Sequence, residues 1–156
     1  DPTRRDGFEL TTFWEINDRL VFDASATKSD GYFLGLPSNE NAIPDAQDNV
    51  FSAGLTYAGF GEGWTSSIRI RHFGDAALTE DEVIKKDNST LLHFGISYEH
   101  KQWEIGLDVL NLLDREDDDI AYWFESRLPG EAVGVEDIHF HPANPRAVRV
   151  LLKYKF

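Results

Sequence analysis

The sequence predicts an all-β fold: an antiparallel, up-and-down barrel wall that crosses a membrane with strands rather than helices. Three observations predict it. Apolar and polar residues alternate with period two through seven segments. The connections between those segments alternate between tight turns and long polar loops. Aromatic residues gather at the turn end. Strands of about ten residues, unequal connections and an aromatic girdle are the pattern of an outer-membrane barrel.

Alternation matters because a strand points successive side chains to opposite faces. In GFELTTFWEI, Phe8, Leu10, Thr12, Trp14 and Ile16 oppose Gly7, Glu9, Thr11, Phe13 and Glu15. In RLVFDASAT, Leu20, Phe22, Ala24 and Ala26 oppose Val21, Asp23, Ser25 and Thr27. In VFSAGLTYAGF, Phe51, Ala53, Leu55 and Tyr57 oppose Ser52, Gly54 and Thr56. In WTSSIRIRHF, Ile68 and Ile70 oppose Arg69 and Arg71. LLHFGISYEH sets Leu92, Phe94, Ile96 and Tyr98 against His93, Gly95, Ser97 and Glu99. WEIGLDVLNL sets Trp103, Ile105, Leu107 and Val109 against Glu104, Gly106 and Asp108. The closing PRAVRVLLKYKF sets Val148, Val150, Leu152, Tyr154 and Phe156 against Arg149, Leu151, Lys153 and Lys155. The expected strands are 6–16, 20–29, 50–60, 64–74, 90–100, 103–113 and 146–156. No helical period competes with them.

Tight turns are expected at 16–18, 61–63 and 99–102, where Asn-Asp and Gly-x-Gly tolerate positive φ. Longer polar loops fill 29–48, 75–88 and 114–144. In an antiparallel meander, all the turns then share one end and all the loops the other. Trp14, Trp64 and Trp103 each flank a turn, and Tyr98, Tyr154 and Phe156 fall at their level. Such a ring suits the boundary between hydrocarbon and headgroups. Phe22, Leu55, Ile70, Phe94, Leu107 and Val150 are expected to face lipid.

Composition narrows the function. The 156 residues carry 28 acidic and 15 basic side chains, a formal net charge of -13. A nucleic-acid partner needs a basic footprint and is excluded. No cysteine is present, so no disulfide, thiolate metal site or cysteine nucleophile is possible. The absence of methionine, even at residue 1, suggests a processed chain or a piece of a longer one. No apolar run of about 18 residues exists to make a membrane helix. The mean hydropathy of -0.41 does not argue against a barrel, because alternating strands dilute their own apolar signal.

A soluble sandwich or lipocalin-like barrel also alternates, but with its apolar face inward. Here the polar face is rich in Gly, Ser and Thr rather than Lys and Glu, and the loop asymmetry exceeds what a sandwich requires. Bacterial single-chain barrels have even strand counts. Seven strands therefore suggest that at least one strand precedes Asp1, and that this is the C-terminal part of a larger barrel.

The residues also carry a family likeness. WEIGLDVLNLLDRED (103–117), the loop segment YWFESRLPGE (122–131) and VEDIHFHPANPRAVRVLLKYKF (135–156) resemble the C-terminal end of TonB-dependent outer-membrane receptors. VLNLLD (109–114) fits that family's V-x-N-L-x-D segment, and the last strand starts near Pro-Arg and ends on an aromatic residue. RRDGFELTTFW and FGDAALTED also look like segments of such barrels. The resemblance implies a barrel of about twenty-two strands plugged by an N-terminal domain. Residues 1–156 would be its C-terminal segment, in the outer membrane of a Gram-negative bacterium. The loops would be extracellular, and the turns and C-terminus periplasmic. It implies uptake of a scarce nutrient such as a ferric siderophore, haem, cobalamin or an oligosaccharide. TonB would supply the energy through the plug, which lies outside this sequence. Outer-membrane lipid and the barrel-assembly machinery are the other implied partners, with Tyr154 and Phe156 as the C-terminal insertion signal.

Other motifs carry less. GFGEGW (59–64) is followed by a strand, so it reads as a turn and not a phosphate loop. IHFHP (138–142) puts His139 and His141 on one side of an extended segment, as candidate ligand contacts. They fall short of the three or four ligands of a metal site. DREDDD (114–119) lacks the spacing of a calcium loop and reads as a solvated acidic loop. Arg69, Arg71, Arg149, Lys153 and Lys155 share the inward face with Glu9, Glu15, Asp23, Glu99, Glu104 and Asp108, where mutual pairing is expected. No nucleophile elbow occurs. The expectation is no enzyme, no catalytic residue, no cofactor and no metal. A small self-contained barrel acting as a binding protein or adhesin is the alternative, and a barrel hydrolase the next.

Overall fold

The computed structural model describes residues 2–156. Seven strands form one antiparallel sheet: β1 (Thr3–Asn17), β2 (Leu20–Phe33), β3 (Asn49–Tyr57), β4 (Trp64–Phe73), β7 (Ser89–His100), β8 (Trp103–Leu110) and β11 (Ala147–Tyr154). Their order is β1-β2-β3-β4-β7-β8-β11. Each strand pairs with its chain neighbours, apart from two short hairpins inserted in the loops. The sheet does not close on itself: β1 and β11 are its two edges.

The ladder puts the two predicted sets on two faces. Phe22 pairs with Leu55, Leu55 with Ile68, Ile68 with Phe94, Ile96 with Leu107 and Leu107 with Val150. On the other face Asp23 pairs with Gly54 and Gly54 with Arg69. Directly opposed residues share a face, so one register error would exchange the two sets. The apolar set is not folded onto a dry interior. Leu55 stays 38% exposed and Val150 70% exposed. The buried apolar residues Ala76, Leu78, Leu91 and Ala121 belong to the loop end of the wall. A soluble sandwich would have enclosed Leu55, Phe94 and Val150.

The tight turns form at the expected places, although Asn17 and Asp18 do not take positive φ. Gly63 adopts φ 82° and Lys101 φ 54°. A Cβ on Gly63 would stand 2.1 Å from the Glu99 carbonyl oxygen, so this turn requires glycine. Asn17 Oδ1 accepts the Arg19 N–H at 2.9 Å and closes the first turn.

Boundaries differ from expectation at informative places. β1 and β2 run on to Thr3 and Phe33, past the expected 6 and 29. Thr3, Arg4 and Arg5 are polar on both faces, and Asp30 and Gly31 are followed by two adjacent aromatics, Tyr32 and Phe33, so hydropathy does not alternate there, although the ladder continues. β3 stops at Tyr57 rather than 60, where Ala58 donates its N–H to the Arg19 carbonyl. β8 stops at Leu110 rather than 113, because Asn111 takes φ 49° and Asp114 φ 55°. β11 ends at Tyr154, leaving Phe156 beyond the ladder.

Two loops are not irregular. The second contains β5 (Ala76–Ala77) and β6 (Lys85–Lys86). The third contains the hairpin β9 (Asp118–Ser126) and β10 (Val135–Pro142), paired from Val135–Ser126 to His141–Ile120.

Candidate functional site

The polar face of the wall and the loops above it form the part of the chain best suited to meet a ligand. Three anchors hold the loops. Asn111 is 2% exposed and spends its amide on the turn after β8. Its Nδ2 donates to the carbonyls of Arg115 at 2.9 Å and Asn144 at 3.1 Å, and its Oδ1 accepts the Arg115 N–H at 2.9 Å. Asn111 thus ties the start of the third loop to its return.

Asp117 is the second anchor. Its carboxylate accepts the Ser89 hydroxyl at 3.1 Å and the Thr90 N–H at 3.0 Å, and pairs with Arg115 at 3.0 Å. Burial works to raise its pKa, but the bonds from Thr90, Arg115 and Ser89 outweigh it and hold the carboxyl below its ordinary value. Nearby, Asp114 accepts the Arg146 N–H at 3.0 Å and pairs with its guanidinium at 2.9 Å. The expected solvated acidic loop is corrected here: two of its carboxylates lock the loop to β7 and to the approach of β11.

Lys86 is the third anchor. Its ammonium is buried and donates to the Asp119 carbonyl at 3.2 Å, with Asp45 Oδ1 at 3.9 Å. One side chain in the second loop therefore meets both the first and the third. In the first loop, burial, with Asp30, Glu82 and Asp75 nearby, raises the Asp48 pKa.

Beneath these anchors lies a cleft of about 120 Å³, lined by Arg71, His93, Asn111, Asp119 and Asn144 among others. The Asn111 N–H donates to His93 Nδ1 at 3.2 Å. That bond leaves the ring's proton on Nε2, as a donor to a partner. Arg71 lies over the Phe73 ring at 5.2 Å and makes no ion pair among the described residues. Its neighbour Arg69 is held by Asp23 through two bonds of 2.8 Å. Lys153–Glu104 at 3.3 Å and Lys155–Glu99 are further pairs on this face, as expected. A larger recess of about 740 Å³ lies at the turn end, between the Gly59–Gly63 segment and Glu99, Lys101 and Glu104. It is open and lined by both signs of charge. The cleft by Arg71 and His93 carries the more specific donor arrangement.

The predicted site residues fall in three places. Trp64 faces Tyr98 in the ladder with ring centroids 4.8 Å apart, and Trp103 faces Tyr154 at 4.7 Å. Trp14 pairs with Phe22 on the same face. Tyr154 and Phe156 meet edge to face at 5.2 Å. His139 and His141 lie on β10, away from the cleft; His139 stacks on Phe124 at 3.8 Å, and its Nε2 has no hydrogen-bond partner among the described residues. Among the described residues, no group of three or more metal-binding side chains forms. Lys86 was not singled out from sequence; Asn111 entered only within VLNLLD and Asp117 only within DREDDD, neither as an anchor.

Comparison with known proteins agrees with this architecture. The family model described as TonB dependent receptor-like, beta-barrel matches residues 1–112. No curated protein matches. The ferric yersiniabactin uptake receptor FyuA from Yersinia pestis superposes with a TM-score of 0.76 at 14% identity, over 99% of this chain and 24% of that one. The siderophore receptor PiuA from Acinetobacter baumannii gives 0.76 at 18% identity, over 99% and 22%. The ferric-catecholate import receptor Fiu from E. coli K12, in its closed form, gives 0.74 at 15% identity, over 96% and 20%. The chain thus spans under a quarter of the length of these three structures. By its sequence match and its open seven-stranded wall, the chain belongs to the TonB-dependent receptor-like β-barrel family.

Proposed function

We propose that residues 1–156 are the C-terminal wall of an outer-membrane receptor whose plug and earlier strands lie outside this sequence. The receptor takes up a scarce nutrient with energy delivered by TonB through the plug. Its cargo belongs to the class of ferric siderophores and related chelates. The observation that carries this reading is the open antiparallel wall, apolar on one face and polar on the other, within a chain matched by the family model over residues 1–112. The three similar structures, named as a ferric yersiniabactin uptake receptor, a siderophore receptor and a ferric-catecholate import receptor, support the cargo class.

In this reading the apolar face meets outer-membrane lipid, the loops are extracellular, and the turns and C-terminus are periplasmic. The barrel-assembly machinery reads Tyr154 and Phe156. Trp14, Trp64, Trp103 and Tyr98 form the periplasmic girdle. Arg71 and His93 supply donors to an anionic cargo, while His139 and His141 offer a contact farther out. The chain is a transporter wall and no enzyme.

The test is uptake in a strain deleted for the full-length gene. Radiolabelled iron is supplied on a panel of chelators, with haem, cobalamin, copper and oligosaccharides as further cargoes. The expected result is loss of one cargo, reproduced by deleting tonB and restored by the intact gene. Unchanged uptake of every cargo would overturn the proposal.

A further inference from the structure

The two faces of the β8–β11 pair differ in how much they say about its register. On the apolar face Trp103 pairs with Tyr154, Ile105 with Leu152, Leu107 with Val150 and Val109 with Val148. A slip of two residues keeps every side chain on its own face. In one direction it sets Leu152 against Trp103, Val150 against Ile105 and Val148 against Leu107. In the other it sets Phe156 against Trp103, Tyr154 against Ile105 and Leu152 against Leu107. Aliphatic or aromatic side chains meet in every case, so this face barely separates one register from another.

The polar face separates them. There Glu104 pairs with Lys153, Gly106 with Leu151 and Asp108 with Arg149. Lys153 Nζ stands 3.3 Å from the Glu104 carboxylate. A Cβ on Gly106 would already stand 3.4 Å from the Leu151 Cβ, so the bulky Leu151 has the residue without a side chain opposite it. Just beyond β11, the Lys155 N–H donates to the Gln102 carbonyl at 2.8 Å and carries the ladder on, while its ammonium bonds Glu99. That bond matters because β7 and β8 set Glu99 directly against Glu104. Like charges so placed destabilise a sheet, and Lys153 and Lys155 answer both of them. The first slip sets Leu151 against Glu104 and Arg149 against Gly106. The second brings Lys155 to Glu104 but sets Leu151 against Asp108 and leaves Glu99 without a lysine. Exposed ion pairs are individually weak. The choice among registers needs only a difference, and the apolar face supplies almost none.

We propose that Glu99, Glu104, Gly106 and Asp108 form an acceptor site on the polar face of β7 and β8 that selects segment 149–155 by its order of cation, bulk and cation, and so fixes the register of β11. The occupant is an extended basic strand of this same chain. The selection works through charge and side-chain volume at the sheet edge and is independent of the cargo.

The test is made on the full-length polypeptide in outer-membrane vesicles. Arg146 is also held by Asp114 at the loop end, so every chain compared carries Asp114→Ala. Val150→Cys is combined with Ile105→Cys, Leu107→Cys or Val109→Cys, a thiol crosslinker one strand spacing long is applied, and the joined peptides are counted by mass spectrometry. With the natural charges the 150–107 product is expected to dominate. Lys153→Glu with Lys155→Glu is expected to raise the 150–105 product about fivefold at the expense of 150–107, because that slip carries both reversed charges past the acidic pair. Adding Glu99→Lys and Glu104→Lys is expected to restore 150–107. An unchanged 150–107 product in the reversed chain would overturn the proposal. So would a slip with the natural charges in place, or one that the second reversal does not correct. If the reversed chain does not reach the membrane, recovery of folded, heat-modifiable protein by the second reversal carries the proposal, and no recovery overturns it.

Discussion

Asp117 and Asp48 illustrate how single carboxylates set the stability of the loops. Asp117 is held below its ordinary pKa, so its contribution is present above the unfolded value and lost as pH falls through the lowered one. Asp48 is raised, so its contribution is present below the unfolded value and lost as pH rises through the raised one. Mild acidification therefore tightens the first loop before it loosens the third. Asp48→Asn is expected to slow amide exchange at Ser29, which donates to the Asp48 carbonyl, at neutral pH, with the gain vanishing in acid. Asp117→Ala leaves the Thr90 N–H and Ser89 hydroxyl without their acceptor. The expected local cost is about 1–3 kcal/mol, read as faster exchange at Thr90.

At the scale of the element, the turn at Gly63 and the apolar face make the clearest predictions. Gly63→Ala forces a Cβ against the Glu99 carbonyl at φ 82°. A cost of about 1–3 kcal/mol is expected, seen as a reduced fraction of heat-modifiable, folded protein on gels. Ile68→Arg is expected to cost about 2–4 kcal/mol in a bilayer, and His72→Arg about 0–1 kcal/mol, by denaturant titration in lipid vesicles. The seven wall strands were legible in the sequence because one face must be apolar and the other need not be. The upper ends of β1 and β2 were not, since Thr3, Arg4 and Arg5 are polar on both faces and Tyr32 and Phe33 are adjacent aromatics, which erases the alternation. The β9–β10 hairpin was hidden because residues 120–124 form an unbroken apolar run with no period-two signal. The anchors were hidden for another reason: Lys86 meets Asp119 and Asp45 across 33 and 41 positions of sequence, and hydropathy carries no record of such partners.

Across the whole molecule, the sheet ends in two rims, β1 and β11, that no strand of the described residues covers. Each rim carries a row of backbone N–H and C=O groups with nothing across from it. On the outer-membrane reading, hydrocarbon would leave those groups unmet at a cost of several kcal/mol each. Such a wall therefore persists in a bilayer only when both hems are stitched to further strand, whether from the same polypeptide or from another.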